Sequence, residues 1–501
     1  MFVLLDRQRT AGRKGMMHYG LRTAADKEDE PREYCGLFGI RGHRHASWLT
    51  YLGLYALQHR GQEACGIATN HKGVLTVHKK MGLVNEAFDE PALNKLKGDM
   101  AVGHVRYSTT GSSVLKNAQP LLIDYAKGSI CIAHNGNLVN SLQLRQYLEG
   151  TGSIFQTTTD SELIIHLMAR ASSRDLKASL LFALQRIRGA YALVMMNEDT
   201  LIGVRDPAGF RPLCLGKLGS SWCFSSETCA FDLVGARLVR EVEPGEIVFI
   251  TKDGIKSVRI SNVATEKKYA FCTFEHVYFS RPDSVVFGET VHSVRRKLGE
   301  QLAKEQPAEA DFVVPVPDSG ISAAMGYAYQ SGVPLEMGII RNHYVGRTFI
   351  QPAQDSRDLG VRVKFNLLRD VLKGKRIVVV DDSIVRGTTS KIRIRSLRRA
   401  GVKQVHLRIS CPPHRFPCFY GIDFHKESEL IANKFDSLEK IRKYLELDSL
   451  GYLSLEGMLA CCACPAHYYC TACWTGRYPV RAEKKHGKFS LEQRCCGQGG
   501  T

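Results

Sequence analysis

KRIVVVDDSIVRGTTS, residues 375–390, sets an apolar strand against a charged loop and a run of hydroxyls. Ile377 to Val380 contain no polar residue, the pattern of a strand covered on both faces of a parallel sheet. Asp381 and Asp382 close that strand, and a loop holding Gly387, Thr388, Thr389 and Ser390 leads into a helical segment. Backbone amides and hydroxyls around a helix N-terminus form an anion site, because unpaired N–H groups and the helix dipole both favour phosphate. Two adjacent carboxylates at a strand's C-terminal end can hold sugar hydroxyls and a hydrated Mg²⁺, and ligands of open α/β sheets sit at those ends. Taken alone, Asp-Asp-Ser is equally a simple helix cap.

Outward from this loop the strand and helix alternation continues. DFVVPVPDSG (311–320) precedes ISAAMGYAYQSG (321–332), and the helix TTSKIRIRSLRRAG (388–401) follows the loop itself. Between Cys35 and about residue 260 the chain reads differently. Short strand-like runs such as GSICIAH, AYALVMM and EIVFI are divided by Gly, Asn and Asp turns, with helical stretches at SWLTYLGLYALQHR and DSELIIHLMARA. Two units are therefore expected, at 35–265 and 266–474, flanked by a mixed-charge leader at 1–34 and a basic, partly disordered tail at 475–501.

Composition narrows the function classes. The 501 residues are 44% hydrophobic, with no signal-peptide core and no run long enough to span a membrane, which predicts a soluble cytoplasmic protein with no membrane partner. Residues 341–403 carry sixteen Lys or Arg against five Asp or Glu, so this segment holds most of the net charge of +18. The excess coincides with the phosphate pattern and so favours a small, highly charged ligand over nucleic acid. Sixteen cysteines without a secretion signal point to metal ligation, nucleophilic chemistry or plain burial rather than disulfides.

VVVDDSIVRGTTS (378–390) resembles the phosphoribosyl-pyrophosphate (PRPP) motif of type I phosphoribosyltransferases. The resemblance implies that Ser383, Arg386, Gly387, Thr388, Thr389 and Ser390 take the 5-phosphate while Asp381 and Asp382 face the ribose. VPVPDSG resembles that fold's pyrophosphate loop, with Ser319 joining Asp381 and Asp382 around Mg²⁺, and RNHYVGRTFIQP its mobile loop, supplying Tyr344 and Arg347. Such a lid would keep water from the oxocarbenium-like ribose.

EYCGLFGI (33–40), LQHRGQEACGIA (57–68), GHVRYSTTG (103–111), AHNGNLVN (133–140) and TTTDSE (157–162) place polar residues in apolar, Gly-rich surroundings. Together they resemble the N-terminal-nucleophile glutamine amidotransferases. Carried over by residue, Cys35 is the nucleophile, Asn135 and Gly136 the oxyanion donors, Arg106 and Asp160 the groups binding the two ends of glutamine, and Arg60 a support for the nucleophile. The general base of that family is the α-amine of the cysteine, whose ordinary pKa of about 7.7 to 8.0 suits proton shuttling near neutrality. A peptide nitrogen cannot serve, so the Tyr34–Cys35 bond is expected to be cut, unless a start at Met16 or Met17 shortens the leader.

An αββα glutaminase sandwich followed by a parallel-sheet phosphoribosyltransferase resembles the glutamine phosphoribosylpyrophosphate amidotransferase family. FSRPDS (279–284) and FYGID (419–423) extend the likeness. It implies glutamine and PRPP as substrates, ammonia passed between the sites, inhibition by purine nucleotides and a homotetramer or homodimer. It also implies a [4Fe–4S] cluster on Cys272, Cys418, Cys470 and Cys473, with zinc as the rival suggested by the spacing in CCACPAHYYCTAC. Cys461, Cys462 and Cys464 fall outside the family's ligand pattern. A non-catalytic, PRPP-sensing regulator of nucleic acid is the alternative, though it has no use for Cys35, Arg106, Asn135 and Asp160 together.

Overall fold

The computed structural model describes residues 35–107, 111–261, 269–342, 365–423, 426–482 and 489–492. The leader, Tyr344 and Arg347 lie outside the described residues.

The first unit is built from β1 (Gly36–Arg41), β2 (Ala64–His71), β3 (Val74–Met81), β4 (Met100–Arg106), β5 (Leu121–Tyr125), β6 (Gly128–Leu138) and β7 (Gly189–Met196). It continues with β8 (Leu201–Arg205), β9 (Cys214–Leu218), β10 (Ser221–Ser225), β11 (Arg237–Glu241), β12 (Glu246–Thr251) and β13 (Gly254–Arg259). These pair antiparallel into two sheets, β11-β9-β10-β1-β4-β2-β3 and β13-β12-β8-β7-β6-β5. Burial follows position. Every residue of GAYALVMM in the interior strand β7 is buried, whereas VLTVHKKM in the edge strand β3 is exposed or half-buried throughout.

Leu37, Val102, Ala133, Val194 and Val248 fill the space between the sheets. Helices Ala46–Ala56 and Cys229–Val234 cover the outer face of the first sheet through Leu54 and Phe231. Ser161–Arg170 and Leu176–Leu184 cover the second through Leu163, Met168 and Leu180. The result is the αββα sandwich expected of the first unit.

In the second unit four parallel strands run in the order Phe312–Pro315, Arg376–Asp381, Gln404–Ile409 and Ser449–Tyr452. Helices Val291–Glu305 and Ile321–Ser331 cross at backbone contact. A Cβ on Gly299 would stand 1.8 Å from the Ala323 carbonyl oxygen, and one on Gly326 would stand 1.9 Å from that of Arg296. The two glycines let the helices close upon each other from both sides.

Part of the basic tail is built into this unit. The Tyr478 hydroxyl donates to the Pro417 carbonyl at 2.7 Å, and the Val480 N–H donates to the Tyr420 hydroxyl at 3.0 Å. Ser490 and Leu491 are also buried. Among the described residues no helix is long and apolar enough to cross a membrane.

Gly299→Ala should destabilise the chain by about 1–3 kcal/mol through overpacking at this crossing, read as a lower urea midpoint with an unchanged slope.

Candidate active site

The register of β1 builds the first site. Gly36 pairs with Val105 on β4, and Arg106 pairs with Ala64 on β2, so Cys35 enters the sheet beside Arg106. The Cys35 thiol is buried and lies 3.5 Å from the Tyr107 carbonyl oxygen. Burial pushes its pKa up to about 11, opposed by the carbonyl contact and the Arg106 charge and reinforced by Glu63 and Asp160. At neutral pH the sulfur therefore rests as a thiol and would need a base to act as a nucleophile.

Asn135 on β6 is fully buried, and neither its amide nitrogen nor its amide oxygen has a hydrogen-bond partner among the described residues. Leaving the amide nitrogen unsatisfied costs about 1–3 kcal/mol, which a bound oxyanion accepting from it would offset. Gly136 has φ +145°, and a Cβ there would stand 2.0 Å from the Ala190 carbonyl oxygen on β7. Only glycine fits that close approach. Arg106 is buried, with Nη1 3.9 Å from a Glu63 carboxylate oxygen, and desolvation lowers its pKa. One Asp160 oxygen accepts the Leu138 N–H at 2.8 Å, and the other lies 3.5 Å from His134 Nδ1.

Arg60 is wholly buried behind this site. Its Nε donates to Glu227, and its Nη2 donates to Glu275 Oε2 at 2.5 Å and to the Ser280 hydroxyl at 3.1 Å. Glu227 also accepts from Ser284 at 2.7 Å and from the Arg281 N–H at 2.9 Å, and its pKa is driven well down despite burial by Arg60 and His59. Glu63 lies within LQHRGQEACGIA but is not singled out there, and neither Glu227 nor Glu275 is marked by a motif quoted above. Another contact with no local signal joins Glu492 to the rim: its carboxylate accepts from the Ser112 hydroxyl at 2.6 Å and from Thr158 at 3.2 Å. Tyr107 likewise reaches Asp423 of FYGID, donating at 3.0 Å.

The second site lies at the C-terminal ends of the parallel strands. Asp381 ends its strand and accepts from Arg393 at 2.7 Å. Asp382 accepts from Ser319 of the neighbouring loop and, through its other oxygen, from Ser383 at 2.5 Å. Burial and the adjacent Asp381 charge both raise the pKa of Asp382, the situation that a bound divalent cation would relieve. Gly387 has φ +83° and starts the helix Thr388–Arg399, with Ser390 buried in its first turn. Arg386 is held by Glu429, from Nη2 at 2.8 Å.

Much of the segment's positive charge is balanced within the fold: Arg376 pairs with Asp311, Arg395 with Glu446 and Arg398 with Asp448. The basic run thus builds structure as well as a site.

Four distant cysteines meet between these regions. The short strand Phe271–Cys272 pairs in parallel with Tyr469–Cys470, setting Cys272 opposite Cys470. Cys272, Cys418, Cys470 and Cys473 line one cavity of about 20 Å³ with Phe210, Phe274 and Tyr420. The Cys418 sulfur accepts the Tyr420 N–H at 3.4 Å, and Arg211 opposes the desolvation that raises both Cys272 and Cys418. N–H donors and a nearby cation are what coordinated thiolates require. Among the described residues no three His, Cys, Asp or Glu side chains are arranged around a single metal ion. Cys461, Cys462 and Cys464 are absent from this cavity wall; their thiols point to the carbonyl oxygens of Gly457, Met458 and Phe287.

Comparison with known proteins agrees with this arrangement. Residues 104–232 match the glutamine amidotransferase domain, and residues 289–415 match the phosphoribosyl transferase domain. The chain is 50% identical over 455 residues to the amidophosphoribosyltransferase of Bacillus subtilis (strain 168), covering 89% of this chain and 94% of the relative. It is 50% identical over 463 residues to amidophosphoribosyltransferase 2, chloroplastic, of Arabidopsis thaliana, covering 91% and 82%. A solved structure of the B. subtilis glutamine PRPP amidotransferase complexed with ADP and GMP superposes with a TM-score of 0.85 at 48% identity, covering 92% of this chain and all of that one.

With residue 34 still attached, alkylation of Cys35 by iodoacetamide, followed by peptide mapping, should be slow at pH 7. It should rise with pH towards an inflection near 11, above the ordinary cysteine value of about 8.5.

Proposed function

Because the chain belongs to the amidophosphoribosyltransferase family, it converts glutamine, PRPP and water to 5-phosphoribosylamine, glutamate and pyrophosphate at the start of purine biosynthesis, and we propose how its residues divide that work. The proposal rests chiefly on one observation: a buried Asn135 carboxamide without a partner among the described residues, in the same sandwich that seats Cys35 beside Arg106.

In this reading Arg106 holds the glutamine carboxylate and Asp160 its amino group. The α-amine of Cys35, freed when residues 1–34 are removed, takes the thiol proton as sulfur attacks the amide carbon. Asn135 and Gly136 N–H groups stabilise the resulting oxyanion without bringing a net charge into the site. The C–N bond breaks, ammonia leaves with the proton, and water hydrolyses the thioester to glutamate. Ammonia then reaches the ribose C1 as the C1–pyrophosphate bond breaks.

On the PRPP side, the loop from Ser383 to Ser390 takes the 5-phosphate, and Asp381 and Asp382 take the ribose hydroxyls. Mg²⁺, which would offset the charge of the leaving pyrophosphate, is assigned to Ser319, Asp381 and Asp382. Tyr344 and Arg347 are assigned to the cover. The relative complexed with ADP and GMP supports purine nucleotides as regulatory ligands here too.

The four cysteines that line one cavity are assigned to a [4Fe–4S] cluster, with zinc as the rival. Thiolates on one zinc must all lie about 2.3 Å from it, whereas cluster cysteines each bind a separate iron and stand further apart. The cluster would tie the junction strand to the C-terminal segment, since the reaction transfers no electrons. The proposed place of action is the cytoplasm.

Cys35→Ala should abolish glutamine-dependent product formation while ammonia-dependent formation persists, and Asn135→Ala should lower glutamine turnover by about 10²–10³-fold; retained glutamine use by Cys35→Ala would refute the assignment. Anaerobically purified enzyme should contain four iron and four sulfide per chain and begin at Cys35 by intact mass. One zinc with no iron, or a retained leader, would overturn those two points separately.

A further inference from the structure

The helix Thr388–Arg399 that follows the phosphate loop buries Ser390, Arg393, Ile394 and Leu397, the spacing of a row that faces a core. An arginine is the exception in such a row. A guanidinium taken out of water needs a partner, because an uncompensated buried charge is strongly destabilising. Here the partner belongs to the acidic pair: Arg393 Nη1 donates to Asp381 Oδ2 at 2.7 Å, with both side chains buried. The guanidinium also lies 5.3 Å from the centre of the Phe365 ring, and its buried Nε has no partner among the described residues.

The two carboxylates of the pair are therefore unlike. Asp381 has both oxygens engaged, Oδ2 by Arg393 and Oδ1 by the backbone N–H of Asp382 at 3.0 Å. Asp382 accepts from the hydroxyls of Ser319 and Ser383. Arg295, whose charge acts on Asp382, donates to the carbonyl oxygens of His276 at 2.7 Å and Ser280 at 2.9 Å. One member of the pair thus has a cation of the fold in direct contact, and the other is held by neutral donors. A positive charge at hydrogen-bond distance from a carboxylate disfavours a second cation there.

We propose that Arg393 is a positioning residue for the acidic pair: it is the built-in counter-ion of Asp381, holding that carboxylate so that an incoming divalent cation is taken chiefly by Asp382. This rests on the reading of Asp381 and Asp382 as the Mg²⁺ site. Arg393 acts through Asp381, and without it the pair would present two uncompensated charges to the cation instead of one.

The test uses the full-length protein with Mn²⁺ alone, an oxygen-seeking stand-in for Mg²⁺, and reads binding from the loss of the free-ion EPR signal. Wild type, Arg393→Met, Arg393→Lys and Asp382→Asn are compared. Arg393→Met should bind Mn²⁺ about 10-fold more tightly than wild type, whereas Arg393→Lys, which keeps the charge, should stay close to it. Arg393→Met strands the Asp381 carboxylate and so should melt at a lower temperature without metal. Added MgCl₂ should recover that loss, since a ligand of the folded state raises its stability. Unchanged or weaker Mn²⁺ binding in Arg393→Met, an equal shift in Arg393→Lys, or failure of both variants to fold would each overturn the proposal and leave Arg393 as a structural tie. Wild-type protein that takes up no Mn²⁺, or uptake that survives Asp382→Asn unchanged, would instead refute the assignment of the cation to the pair, and the proposal with it.

Discussion

Everything at the glutamine end depends on the antiparallel pairing of β1 with β4. A slip of one residue would turn each side chain of β1 to the opposite face of the sheet. Leu37 would then leave the space between the sheets, and Cys35 would lose its place beside Arg106. The apolar interior and the chemical site thus enforce the same register. A chain that buries Leu37 correctly has no choice about where its cysteine stands.

The phosphoribosyl end is held differently. Its acidic pair, loop and helix are contiguous in sequence, so the site forms wherever the strand Arg376–Asp381 is seated between its parallel neighbours. What the wider fold adds is closeness: Ser319 comes from the adjacent strand's loop to meet Asp382, and Glu429 reaches in to hold Arg386. Apolar strands covered on both sides form this platform, and ion pairs such as Arg376 with Asp311 brace it.

This difference explains what the sequence revealed. The loop from Asp381 to Ser390 could be singled out because its chemistry is local, and two fold types could be told apart because turn-divided short strands give way to continuous apolar ones alternating with helices. Cys35, Asn135 and Asp160 became candidates only through resemblance, since the 124 residues between the first and the last carry no spacing rule linking them. Glu275 and Glu492 were invisible, because their contacts with Arg60 and Ser112 span 215 and 380 positions and depend on how separate elements pack. The basic run at 341–403 was seen but only partly understood. Several of its arginines meet carboxylates from elsewhere in the fold, and charge counting cannot anticipate such pairing.

The burial that holds the Cys35 thiol near pKa 11 has another side. Peroxides and soft electrophiles attack thiolates, and sulfenic acid formation follows thiolate character and exposure. With residue 34 attached, a thiol that stays protonated and covered offers oxidants almost nothing to react with. The cleavage proposed to arm this sulfur with an α-amine would also bring it the thiolate character that oxidants attack, so the uncleaved chain is the form in which the cysteine is preserved from chemical wear.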